Sequence, residues 1–238
     1  NTTTVTSKYA GEYSDHDAVI SHSGTGTINL QGGSSVTNNN VAFAVHVSNQ
    51  ASITIESGAN IYAKKGHAVG SRSSKNPSIV MNGGFIKGEA SGTCGILLEA
   101  QKDISTNRSY AKIYGGTIIA TDAAIGISDG GTGYATIWVG NSTNSISSTS
   151  PTLVSRTKYA ISGNISNKVL VYYSNGQIYG KKYSESDYTL ANQLGTLLSI
   201  DKCYSKVVPR SSGYVKGVAN QSYNGTSGLF RTYWSSTK

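Results

Sequence analysis

A small residue followed by Val or Ile returns six times along this chain of 238 residues, and that recurrence restricts the possible folds more than any single motif does. The copies are Ala18-Val19-Ile20-Ser21, Ala44-Val45-His46-Val47, Ala68-Val69-Gly70-Ser71, Gly95-Ile96-Leu97-Leu98, Ala124-Ile125-Gly126-Ile127 and Ala160-Ile161-Ser162-Gly163. They are spaced by 26, 24, 27, 29 and 36 residues. A second element runs between them: a short alternating strand, a Gly turn, then another apolar position. It reads Ile28-Asn29-Leu30 with Gly32-Gly33 and Val36, then Ile53-Thr54-Ile55 with Gly58 and Ile61. Ile79-Val80-Met81 follows with Gly83-Gly84 and Ile86, and Ala111-Lys112-Ile113 with Gly115-Gly116 and Ile118. Ala135-Thr136-Ile137 is expected in the same phase, and Tyr173, Gly176, Ile178 and Gly180 repeat the spacing of Met81, Gly84, Ile86 and Gly88.

Each unit offers strands too short and too one-sided to bury a core alone. Stacked in register, each strand pairs with its equivalent one coil on, and the alternating Ile, Val and Leu positions fill a shared interior. Gly at the corners supplies the positive φ that sharp bends need. The prediction is an all-β chain: a parallel β-helix, or solenoid, with irregular coils of about 24–36 residues. Val19, Val45, Val69, Ile96, Ile125 and Ile161 should form one interior column. A β-sandwich has no reason to repeat one unit, and the Leu/Asn pattern of leucine-rich repeats is missing. The 36 Ser and 28 Gly would suit disorder, but 3 Pro, 16 Tyr and a periodic apolar pattern oppose it. Gly falls throughout and no stretch sustains helical spacing, so bundles are excluded. No apolar run approaches the roughly 20 residues of a membrane-spanning helix.

The repeat fills residues 1–180, and 181–238 is expected to cap the last coil or cover one flank, because an open solenoid edge invites association. Residues 165–238 hold 9 basic and 3 acidic side chains against 11 and 9 in the rest, so the tail supplies 9 − 3 = +6 of the +8 net charge. Such a tail suits an anionic glycan or cell-wall polymer, or serves simply as a soluble basic surface. No Lys/Arg run exceeds two residues, and nucleic acid is not expected as a partner. The start Asn1-Thr2-Thr3-Thr4 reads as that of an excised fragment or mature form.

The short turns Gly83-Gly84-Phe85-Ile86 and Gly115-Gly116-Thr117-Ile118, with the period over residues 18–180, resemble the right-handed parallel β-helix of the pectate-lyase-like superfamily. Within it they look like repetitive β-helix segments of Gram-positive bacterial surface proteins and adhesins. The resemblance implies either polysaccharide cleavage or adhesion and display, extracellular or at the cell surface, as part of a larger protein.

Enzymes on that fold place acids on the outer face of one strand stack, with calcium held by clustered Asp in lyases and paired Asp in hydrolases. Here the outward column one residue past the strands is expected to read Gln31, Glu56, Asn82, Tyr114, Trp138, Ser174, with a single acid. The column two residues earlier reads Asn29, Thr54, Val80, Lys112, Thr136, Tyr172, with none. Paired carboxylates and an acidic metal cage cannot be built from such faces. Asp15-His16-Asp17 with His22 has metal-ligand chemistry but falls before the first coil, and His46 and His67 fall at different phases. Gly126-Ile127-Ser128-Asp129-Gly130 fits a nucleophile elbow in letters only, since Ser48 occupies the same repeat position. Cys94 is expected as a buried small hydrophobe, and pairing with Cys203 would need the tail to fold back.

Tyr114 and Trp138 in one column, Tyr172 diagonal to them and Lys112 beside them form the candidate ligand-binding site, a flat aromatic platform for a sugar face. The expectation is a non-enzymatic surface module, a β-helix stalk or adhesin segment binding glycan, with no cofactor or metal. The alternative is a polysaccharide lyase or hydrolase of the pectate-lyase-like group. Ice binding lacks its regular Thr-x-Thr columns.

Overall fold

The computed structural model describes residues 3–7, 17–72, 75–100, 108–129, 134–140, 151–157, 160–163, 169–173, 176–179 and 215–218. The described elements are all strands. After β1 (Thr3–Ser7) come β2 (Ala18–Gly24), β3 (Thr27–Leu30) and β4 (Ser34–Asn38), which form one coil. The next coil is β5 (Phe43–Asn49), β6 (Ser52–Ile55) and β7 (Asn60–Ala63), followed by β8 (Val69–Arg72), β9 (Ser78–Met81) and β10 (Phe85–Gly88). Then come β11 (Ile96–Ala100), β12 (Arg108–Ile113) and β13 (Thr117–Ala120), and β14 (Ile125–Asp129), β15 (Tyr134–Val139) and β16 (Thr152–Ser155). β17 (Ile161–Gly163), β18 (Val169–Tyr173) and β19 (Gln177–Tyr179) close the series, and β20 (Val215–Val218) follows from the C-terminal segment.

From β1 to β19 every third strand belongs to the same sheet. Sheet A runs β1-β4-β7-β10-β13-β16-β19, sheet B runs β2-β5-β8-β11-β14-β17, and sheet C runs β3-β6-β9-β12-β15-β18-β20. Pairing is parallel throughout except for β20, which lies antiparallel to β18. The chain is a parallel β-solenoid, as its period predicts.

Inside, the alternation places one apolar column beside another. In sheet A, Val36, Ile61, Ile86, Ile118, Leu153 and Ile178 are successive register partners. In sheet C, Leu30, Ile55, Met81, Ile113, Val139 and Tyr173 are. The side chains of Ile53, Ile55, Ile61, Ile79, Met81, Ile86, Ile96, Leu98, Ile113 and Ile118 are fully buried in or around this interior. The corner between sheets C and A is turned by Gly33, Gly58, Gly84 and Gly116, with φ of 85, 82, 81 and 82°, where a side chain would strain the backbone.

Two registers differ from the sequence expectation. In sheet B, Ile20 and not Val19 stands opposite Val45, at the head of the column Val45, Val69, Ile96, Ile125 and Ile161. Three apolar residues in a row, Ala18-Val19-Ile20, leave the inward parity of that strand unmarked in the sequence. In sheet C, Ile113 pairs with Val139 and Ala111 with Ile137, so Ala135-Thr136-Ile137 is two residues out of the expected phase. A slip of two keeps every inward residue inward, and the apolar pattern is blind to it.

Candidate binding face

The slip in β15 rebuilds the outer face of sheet C. Trp138 stands opposite Lys112 on one side and Tyr172 on the other, in the outward column Asn29, Thr54, Val80, Lys112, Trp138, Tyr172. Thr136, expected in that column, is instead opposite Tyr110. Tyr114 does not share a column with Trp138: it follows β12, where its amide donates to the Met81 carbonyl at 2.8 Å, and Gly140 holds the equivalent place after β15. The expected platform of Tyr114 and Trp138 is therefore corrected. Tyr172 moves from the diagonal into direct register with Trp138.

Tyr110 takes the place that Tyr114 was expected to fill. Its ring stacks on that of Trp138, with centroids 5.9 Å apart and planes 21° from parallel. The two are diagonal cross-strand neighbours, a spacing that aromatic rings can bridge. Lys112 holds its ammonium 5.9 Å from the Tyr110 centroid and 5.7 Å from that of Trp138, within the range of cation–π attraction to both. At the strand start, the Arg108 guanidinium lies 4.9 Å from the Tyr134 ring, and Nη1 donates to Thr136 Oγ1 at 3.2 Å. Tyr110, Lys112, Tyr134 and Trp138 are all half-buried, with part of each surface open to solvent. Burial raises the pKa of the Tyr114 hydroxyl, so it stays a neutral donor at physiological pH.

Sequence reasoning missed Tyr110, Arg108 and Tyr134. The signal was present: each stands an even number of residues from Lys112 or Trp138 on its own strand, hence on the same face.

Among the described residues of this face the carboxylate is Glu56, which accepts from Asn82 Nδ2 at 2.9 Å. The described residues contain no group of three or more His, Cys, Asp or Glu side chains able to hold a metal. Of the Asp15-His16-Asp17 segment, Asp15 and His16 lie outside the described residues, as does Cys203 and with it any pairing to the buried Cys94. Ser128 occupies one outward column with Ser48, Arg72 and Glu99, a repeat position within strand β14. No helix among the described residues is long and apolar enough to cross a membrane.

A second group of side chains lies on the outer face of sheet B. Phe43, Cys94, Leu97 and Ala123 form a buried apolar cluster outside the coil interior. His46 and His67 sit in different columns, as their phases imply, yet both rings lie against Phe43, at 5.0 and 5.5 Å between centroids. His46 Nε2 is 3.8 Å from Glu99 Oε2. His67 Nδ1 accepts the Cys94 amide at 2.9 Å, which requires that nitrogen to be unprotonated. Burial lowers the His67 pKa below 6.5, and the nearby Glu99 and Asp122 carboxylates oppose the shift. Here the two imidazoles converge on a phenyl ring.

Comparison with known proteins leaves the fold as the class assignment: no family model matches this chain, and neither does any curated protein or solved structure. The architecture places it among the β-solenoids.

Proposed function

We propose that this chain is a non-catalytic module that binds glycan on the outer face of sheet C. The carrying observation is the stacked pair Tyr110 and Trp138 with Lys112 over both rings, on a partly exposed, regular sheet. Sugars present apolar C–H faces that stack on such rings, and aromatic side chains lose few degrees of freedom in doing so. Among the described residues of this face the carboxylate, Glu56, is engaged by Asn82, which supports binding over hydrolysis or elimination. The Gly-Gly turns, like those of right-handed β-helices in bacterial surface proteins, support display outside the cell as one part of a larger adhesin or stalk.

A glycan array probed with the wild-type chain and with Trp138→Ala tests this reading. The wild type should retain a defined set of glycans, and the variant should lose them while keeping the circular dichroism spectrum of the folded chain. Binding unaltered in Trp138→Ala removes the platform from the account. New reducing ends or unsaturated products from pectin, alginate or glycosaminoglycans would establish the enzyme alternative.

A further inference from the structure

Lys112 differs from two other cations of this protein that lie over rings. Lys87 is 5.4 Å from the Tyr62 centroid, but its ammonium is also 3.7 Å from Glu89, whose carboxylate accepts from the Tyr62 hydroxyl. Arg108 lies over Tyr134 and donates to Thr136 Oγ1. Lys112 has its ammonium within reach of two rings, and among the described residues no carboxylate forms an ion pair with it.

Its surroundings fix where that charge stands. In the outward row Lys112 has Val80 on one side and Trp138 on the other. The residue is half-buried, and attraction to both rings restricts its ammonium before any ligand arrives. Order supplied in advance lowers the cost of binding an anion there. Glu56, the described carboxylate of this face, follows β6, two strands away, and is bonded to Asn82.

Resting on the glycan reading above, we propose that Tyr110, Lys112 and Trp138 together take a uronic acid, a sugar whose carboxylate leaves from the edge of its ring. The C–H face of the sugar lies on Trp138 and Tyr110, and the carboxylate accepts a charge-assisted hydrogen bond from the Lys112 ammonium. Lys112 is then the residue that distinguishes acidic from neutral glycans. The net charge of +8 attracts any polyanion as well, but at long range and without regard to which lysine is present.

Calorimetry on the full chain compares two oligosaccharides with their own methyl esters: a hyaluronan octasaccharide and a galacturonate hexasaccharide. The ester keeps the sugar and removes its charge. At least one acid should bind tenfold or more tighter than its ester. Lys112→Gln should bring that ratio close to one and Lys112→Arg should keep most of it, with circular dichroism showing both variants folded. Lys64→Gln removes the same charge from an exposed position after β7 and should keep the wild-type ratio. Equal affinity of acid and ester, or binding of neither acid, overturns the uronic-acid inference, while a neutral glycan retained on the array leaves the glycan reading standing. A ratio that survives in Lys112→Gln, or falls as far in Lys64→Gln, assigns the preference to overall charge and overturns the role of Lys112. Loss of the ratio in Lys112→Arg as well would trace it to the packing of the rings rather than to the charge, with the same consequence. Binding of no glycan on this panel or on the array overturns both readings.

Discussion

The ring of Phe43 occupies the space that a side chain on Gly70 would need: a Cβ at that glycine would stand 2.7 Å from Cδ1 of Phe43. The same Cβ would stand 2.8 Å from Cδ2 of His46, so the ring and the imidazole share one seat over a bare strand. Gly70→Ala should cost about 1–3 kcal/mol, as overpacking does. In a chain of this size that lowers the thermal midpoint by about 2–4 °C for each kcal/mol. In a Phe43→Ala background the same substitution should cost less, and urea denaturation of the four proteins measures the coupling. Equal costs in both backgrounds would show that the ring does not depend on the glycine.

Ser71 stands in an interior column between Val47 and Leu98, fully buried, and its hydroxyl finds no hydrogen-bond partner among the described residues. A buried hydroxyl without a partner costs about 1–3 kcal/mol. Ser71→Ala should therefore raise the denaturation midpoint, whereas a fall on substitution would mean that the hydroxyl is satisfied.

His67 makes stability depend on pH. Its folded pKa lies below the ordinary 6.5, so between the two values the unfolded chain holds a proton that the folded chain does not. The contribution is complete above 6.5 and is lost as pH falls through the folded value. Thermal midpoints between pH 7.5 and 5 should decline for the wild type and more gently for His67→Gln, which offers an amide acceptor that does not titrate. Parallel declines would place the dependence elsewhere.

The last repeated strand of sheet C, β18, has β20 as its outer neighbour. Deleting residues 181–238 removes that partner and leaves the backbone groups of β18 open to another chain. Light scattering should show multimers or aggregate for the truncated protein. A monodisperse monomer would assign the segment a role other than capping.

The repeat was legible in the sequence because burial enforces it: every coil must turn the same residues inward, and Ile61, Ile86 and Ile118 report that demand two or three residues after their corner glycines. The binding face was only half legible. Outward residues obey parity but no register, so Trp138 was placed on the correct face and beside the wrong neighbour. Its true partners, Tyr110 on the diagonal and Lys112 in the row, depend on how many residues the loop before β15 consumes. No hydrophobic signal counts them. The gathering of His46, His67 and Phe43 was hidden for a related reason, since contact there depends on Gly70 having no side chain to keep Phe43 and His46 apart.

Each coil of this solenoid uses 24 to 36 residues to advance by one strand spacing, about 4.8 Å. Drawn out as an extended chain, 24 residues would reach about 80 Å. Such a fold gains little length per residue. What it produces is width and constancy: a broad, stiff plane whose rows stay aligned because each sheet spans every coil. What the coils add to reach is a set of flat faces, on which the spacing from one row to the next is fixed by the hydrogen bonds between strands.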